Sequence, residues 1–125
     1  MIYLDTHVVV WLYAGEINRI PGSAQLMIEK HDLVISPMVI LELEYLYEIK
    51  RISVNASVIV ESLEASIGLQ VCKLSFHRLV SEAIAQNWTR DPFDRMIAAN
   101  AVCAKSRLLT KDETILNNCN SAFWE

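Results

Sequence analysis

Four short apolar runs, each leading into a polar residue and then a helical pattern, set the tightest limit on what this chain can fold into. Met1 to Leu4 ends at Asp5, Leu33-Val34-Ile35 at Ser36-Pro37, Leu69 to Leu74 at Ser75, and Arg107 to Thr110 leads to Asp112. Runs this short and this apolar suit strands buried on both faces. The stretches between them carry helix signals. One helix is expected from Thr6 to the stop at Gly15, a second from Pro21-Gly22-Ser23 to Lys30, and a third from Pro37, capped by Ser36, to about Arg51. Others are expected from Asn55 to Ser66 with Gly68 as terminator, from Ser75 to near Asn87, from Asp91-Pro92 to near Lys105, and for one turn after Asp112. Strands alternating with helices imply parallel pairing through helical crossovers. The predicted fold is therefore α/β, a three-layer α/β/α sandwich around a mostly parallel sheet of four to five strands, with Ala122-Phe123-Trp124 as a short closing strand. The first run is expected at the centre of that sheet.

Composition agrees with a single domain over residues 1–125. Hydrophobic residues are 53% of the chain and charged residues 21%, with three Gly and three Pro, which excludes a disordered or linker-dominated chain. No apolar run approaches the roughly 18 residues of a membrane span. The start, Met1-Ile2-Tyr3-Leu4-Asp5, lacks the basic region and cleavage site of a secretory signal, so a cytoplasmic protein is expected, with no membrane partner. Cys72, Cys103 and Cys119 are scattered and read as reduced packing residues, while His7, His31 and His77 lack metal-ligand spacing and receive no chemical role.

A net charge of −4, from 11 basic and 15 acidic residues, at first disfavours nucleic acid. Five of the acids fall where an open α/β sheet places its working site, beyond the carboxyl ends of the strands. These are Asp5, Glu42, Asp91, Asp94 and Asp112, and without them the rest of the chain is close to neutral.

Each acid also has a purely structural explanation. Asp5 could cap the Thr6 helix, Asp91 could cap the Pro92 helix with Asp94 three residues on, and Asp112 could be a turn residue. Glu42 is harder to explain away. Glu44 and Glu48 lie four apart as one solvated stripe, and Glu42 sits about 200° from Glu44 around the helix. It is expected among Met38, Leu41, Tyr45 and Leu46, where an uncompensated carboxylate is costly. Ala98, Ala99 and Ala101 let their helix approach the sheet and bring Asp94 toward the strand ends, and the Thr110 hydroxyl can orient a carboxylate or a water.

Converging carboxylates repel one another unless a cation neutralises them. Hard oxygen ligands without Cys or His select Mg²⁺ or Mn²⁺, and such an ion can activate water against a phosphodiester. Arg90, Arg95 and Lys111, with Lys50 and Arg51 further back, lie near these acids in sequence and are candidate phosphate contacts. Trp11 and Tyr13, on an apolar helix, read as core rather than as stacking surfaces.

The order of these segments resembles the PIN-domain nucleases, in particular the VapC-like toxins of toxin–antitoxin pairs. The likeness rests on Leu4-Asp5-Thr6-His7 with Trp11-Leu12, on Ile35-Ser36 with Glu42, on Asp91-Pro92-Phe93-Asp94-Arg95 with Ile97-Ala98-Ala99, and on Leu108-Leu109-Thr110-Lys111-Asp112-Glu113. It implies a metal-dependent ribonuclease with Asp5, Glu42, Asp94 and Asp112 as its catalytic and metal-holding acids. Asp91, Thr6 and Thr110 would be accessory. The same resemblance implies an RNA substrate, homodimers and inhibition by a co-encoded antitoxin. Two alternatives compete with it: a non-catalytic RNA- or protein-binding relative, and a phosphorylated receiver-like signalling domain. The latter would want paired acids after the first strand and a phosphoacceptor after the third, where this chain has Asp5 alone and Ser75.

Overall fold

A computed structural model describes residues 1–125. The strands are β1 (Ile2–Leu4), β2 (Leu33–Ile35), β3 (Gln70–Val71), β4 (Arg107–Leu109) and β5 (Ala122–Phe123). The helices are α1 (Thr6–Ala14), α2 (Gly22–Lys30), α3 (Pro37–Glu48), α4 (Ala56–Ile67), α5 (Phe76–Ala85), α6 (Pro92–Cys103) and α7 (Glu113–Asn118). A single 3₁₀ turn, Ile17–Arg19, joins α1 to α2 and was not foreseen from the sequence.

The sheet is wholly parallel, in the order β3-β2-β1-β4-β5, with β1 at its centre. Ile2 and Leu4 are almost fully buried, as are Ile35, Leu108 and Leu109, because helices cover both faces of the central strands. The third run is the one most shortened: of Leu69 to Leu74 only Gln70 and Val71 pair, since β3 is an edge strand with a neighbour on one side.

Register sets up the site. Leu4 lies opposite Leu109, and the Asp5 N–H donates to the Leu109 carbonyl at 3.0 Å, so the residues after β1 and β4 emerge side by side. The local signals behind the helices act as expected. Ser36 accepts from the Met38 N–H, Asn55 from that of Val58, and Ser75 from that of Arg78. Ala98, Ala99 and Ala101 are completely buried, which lets α6 lie close against its neighbours. Asn100, also buried, donates to the Cys72 Sγ at 2.8 Å and so ties α6 to the segment after β3. The three thiols are free. No helix is long and apolar enough to cross a membrane.

The expected surroundings of α3 need correction. Its core residues are Val39 and Leu43, while Leu41 and Tyr45, expected to enclose Glu42, are exposed. Glu44, expected in the solvated stripe, accepts from the Ala56 N–H at 3.1 Å and helps start α4. The packing of α4 beside α3 rearranges which polar positions face water.

Gly15 and Gly68 end α1 and α4 in the left-handed region, at φ 73° and 69°. A Cβ on Gly68 would meet no atom within 4 Å, so the cost of adding one is backbone strain alone. Gly68→Ala is expected to lower stability by about 1–2 kcal/mol, read as an earlier urea midpoint at unchanged slope.

Candidate active site

Asp5 stands between β1 and α1 and is buried. Its Oδ1 accepts from the Thr6 N–H at 2.8 Å and its Oδ2 from the Thr110 hydroxyl at 2.7 Å. The Thr110 oxygen in turn accepts from the Asp112 N–H at 3.0 Å, and Asp112 Oδ1 caps α7 by accepting from the Ile115 N–H. One buried hydroxyl therefore locks the ends of β1 and β4 and fixes two carboxylates relative to each other. The Thr6 hydroxyl donates to Glu42 Oε1, which holds the α3 carboxylate against the start of α1.

Asp5, Thr6, Glu42, Asp94 and Asp112 line one cleft of about 480 Å³, together with His7, Val10, Trp11, Leu46, Arg51 and Ile52. Of the five acids expected to gather, Asp5, Glu42, Asp94 and Asp112 do so, although they come from positions as distant as 5 and 112. Asp91 does not line the cleft. It is exposed, and its Oδ1 accepts from the N–H groups of Phe93 and Asp94 at 2.8 and 3.2 Å, so helix capping accounts for its contacts.

The electrostatics follow from burial and crowding. Burial pushes the Asp94 carboxyl up to about 7, reinforced by Asp91, Asp5, Asp112 and Glu42. Glu42 is also raised, chiefly by burial, with the Thr6 hydrogen bond opposing the shift and Asp5, Asp91 and Asp112 adding to it. No three His, Cys, Asp or Glu side chains are arranged to hold one ion directly. The donor set, half-buried carboxylates in a cleft of this size, fits instead a hydrated hard cation that takes one or two carboxylates and keeps several waters.

The basic residues divide. Arg95 is committed elsewhere: its Nε and Nη2 donate to the carbonyls of Ala83 and Ile84, tying α6 to the end of α5. Arg90 donates to the Asn87 carbonyl and, with Arg95, lines a separate hollow with Val80 and Pro92. Neither lines the acidic cleft, because both lie in the hollow between α6 and the end of α5. Arg51 does line it, and Lys111 reaches its rim with Nζ 5.9 Å from the centre of the Trp11 ring.

Two cleft residues had been given no such place. His7 Nε2 accepts from the Lys111 N–H at 2.9 Å, which leaves its proton on Nδ1, 3.7 Å from Asp5 Oδ2. Burial lowers the His7 pKa despite the pull of Asp5 and Asp112, so the imidazole is neutral at pH 7. Trp11, expected in the core, does pack against it, but it is half-buried and also lines the cleft. The spacing of His7 and Trp11, four apart on the helix that starts after Asp5, was the available signal.

These shifts fix a pH dependence. Folded Asp94 holds its proton up to about pH 7, whereas the unfolded chain releases it near 3.8, so metal-free stability falls as pH rises between those values. In chelator the protein is expected to be more stable at pH 5 than at pH 8, by about 1–2 kcal/mol once solvent screening of a half-buried group is allowed for. Asp94→Asn is expected to remove most of that difference and to raise the pH 8 melting temperature. Melts of both proteins across this range check it, and a slope that persists unchanged in the variant would disprove it.

Three comparisons bear on kinship. The chain matches no curated protein. Its fold is similar to a chain in a toxin–antitoxin complex from Klebsiella pneumoniae, at TM-score 0.68 and 15% identity, covering 98% of this chain and 96% of that one. It is also similar to a chain in VapBC2 from Rickettsia felis bound to a promoter DNA fragment, at TM-score 0.64 and 19% identity, covering 100% and 98%. The family model for the PIN domain matches residues 2–119, and with nearly the whole length so covered, this chain belongs to the PIN domain family.

Proposed function

We propose that this protein is a VapC-like toxin, a single-domain cytoplasmic endoribonuclease that hydrolyses RNA phosphodiester bonds with Mg²⁺ or Mn²⁺. The observation that carries the proposal is the convergence of Asp5, Glu42, Asp94 and Asp112 on one cleft, with Glu42 and Asp94 left short of compensating charge. Membership of the PIN family supports the nuclease reading, and the shared fold with chains of two toxin–antitoxin complexes supports the toxin reading.

When bound, the cation supplies the positive charge that activates a water and offsets charge developing on the phosphate. The chain's own residues do the rest. Asp5, held by Thr6 and Thr110, is the fixed anchor, since its two oxygens already carry defined hydrogen bonds. Glu42 and Asp94, whose proton affinity is raised in the metal-free cleft by burial and neighbouring acids, are the carboxylates that gain most from the charge of a bound cation. Thr6 orients Glu42, and Asp112 completes the ring of negative charge from the β4 side. Arg51 and Lys111 are the cations in reach of a phosphate running through the cleft.

The antitoxin fits the same geography. A second groove of about 750 Å³, lined by Tyr13, Tyr47, Lys50 and Val54 among others, shares Val10, Arg51 and Ile52 with the acidic cleft. An extended apolar peptide lying there would reach the carboxylates and cover them. A homodimer is part of the same proposal.

Asn caps a helix as well as Asp, so Asp5→Asn keeps the cap that Asp5→Ala would break, with its amide NH₂ donating to the Thr110 oxygen where the carboxylate accepts from it. Antitoxin-free protein is expected to cut end-labelled RNA with Mg²⁺ or Mn²⁺ and not in chelator. Asp5→Asn is expected to reduce cutting by about 100-fold or more, the scale for one electrostatic element of an active site, with an unchanged circular dichroism spectrum. Mn²⁺ is also expected to raise the melting temperature of the wild type and to do so less in the variant. Cutting that survives chelator would overturn the metal reading.

A further inference from the structure

We propose that Trp11 is a base-stacking surface of the acidic cleft, on which an unpaired nucleobase next to the bond being cut lies flat. This rests on the RNA-cleaving function proposed above.

Trp11 lines the same cleft as the four acids. Its ring is held by two inclined aromatic neighbours, His7 at 5.0 Å between ring centres and 61° between planes, and Trp124 at 6.0 Å and 59°. A tryptophan serving only the core would spend its ring face on apolar neighbours. Here the face meets two exposed cations from distant parts of the chain, the Arg19 guanidinium at 5.6 Å and the Lys111 ammonium at 5.9 Å. Arg19 is further held by Glu16 at 2.6 Å, at the surface.

Relative strengths decide what happens when RNA enters. An exposed cation over an indole is held weakly, because water competes for its charge. A base stacked on an aromatic side chain is held more strongly, because stacking removes two apolar faces from water. A base therefore displaces a cation from the ring, and the displaced Lys111 or Arg19, still tethered beside the cleft, is free to meet a phosphate of the same strand. In a protein with net charge −4, that puts two positive charges beside the ring that lines the acidic cleft. The aromatic face selects for an unstacked nucleotide, since a base within a duplex has no free face to offer.

The test is a cross between protein and substrate. A short RNA that the wild type cuts is made with a single abasic nucleotide at each position flanking the cut, and kcat/KM is measured for wild type and for Trp11→Leu. In the wild type, one position is expected where loss of the base lowers kcat/KM about 10-fold. In Trp11→Leu the intact RNA is expected to fall by a similar factor, and the abasic change at that position to cost nothing further. Trp11→Phe, which keeps a flat ring, is expected to restore most of the loss. Equal abasic penalties in wild type and variant would overturn the stacking role while leaving the nuclease intact. Failure of the wild type to cut any RNA would overturn the underlying function instead. Should Trp11→Leu not fold, titration of folded Asp94→Asn protein decides the matter: intact RNA is expected to quench tryptophan fluorescence, and the abasic RNA much less. Equal quenching by the two RNAs would overturn the proposal.

Discussion

The hydroxyl of Thr110 holds the two halves of this site together. It donates to Asp5 Oδ2 and accepts from the Asp112 N–H, bridging the ends of adjacent parallel strands through residues 105 positions apart at Asp5 and Thr110. A carboxylate this buried is tolerable because its oxygens are satisfied. With Asp5 satisfied, the first helix starts where it must, and Thr6 comes into place to hold Glu42.

The acids then divide into two kinds. Asp5 and Asp112 are tied into the backbone by caps and hydrogen bonds, so their negative charge is a fixed part of the fold. Glu42 and Asp94 come from two helices and are half-buried, and burial together with the surrounding acids lifts the proton affinity of both. The first pair sets geometry, and the second stores the unfavourable electrostatics that a cation would relieve. A helix cap and a site acid are therefore compatible roles for one residue: Asp5 fills both, whereas Asp91, equally well placed as a cap, stays at the surface outside the cleft.

Positive charge is distributed sparingly. Arg95, adjacent in sequence to Asp94, spends its guanidinium on the carbonyls that end α5 and stabilises the junction of two helices. The cations near the cleft come instead from the turn after α3, from the 3₁₀ turn and from the loop after β4, as Arg51, Arg19 and Lys111. This arrangement places Arg51 within the acidic cleft and Arg19 and Lys111 beside the Trp11 ring that lines it.

The sequence alone determined the layer architecture, the central place of β1, and the gathering of Asp5, Glu42, Asp94 and Asp112. Each of these follows from local patterns: apolar runs bounded by caps, glycine stops, and acids at strand ends. The VapC-like resemblance added the nuclease reading to that frame. Only the tertiary structure decided which neighbours of those acids share the cleft. His7 and Trp11 enter it, Arg90 and Arg95 leave it, and Leu41 and Tyr45 face water instead of Glu42. The reason is physical. Strand and helix identity is set by backbone preference and apolar periodicity over a few residues, whereas the side of a helix that meets a cleft depends on how other helices pack against it, a relation between distant segments that no local pattern contains.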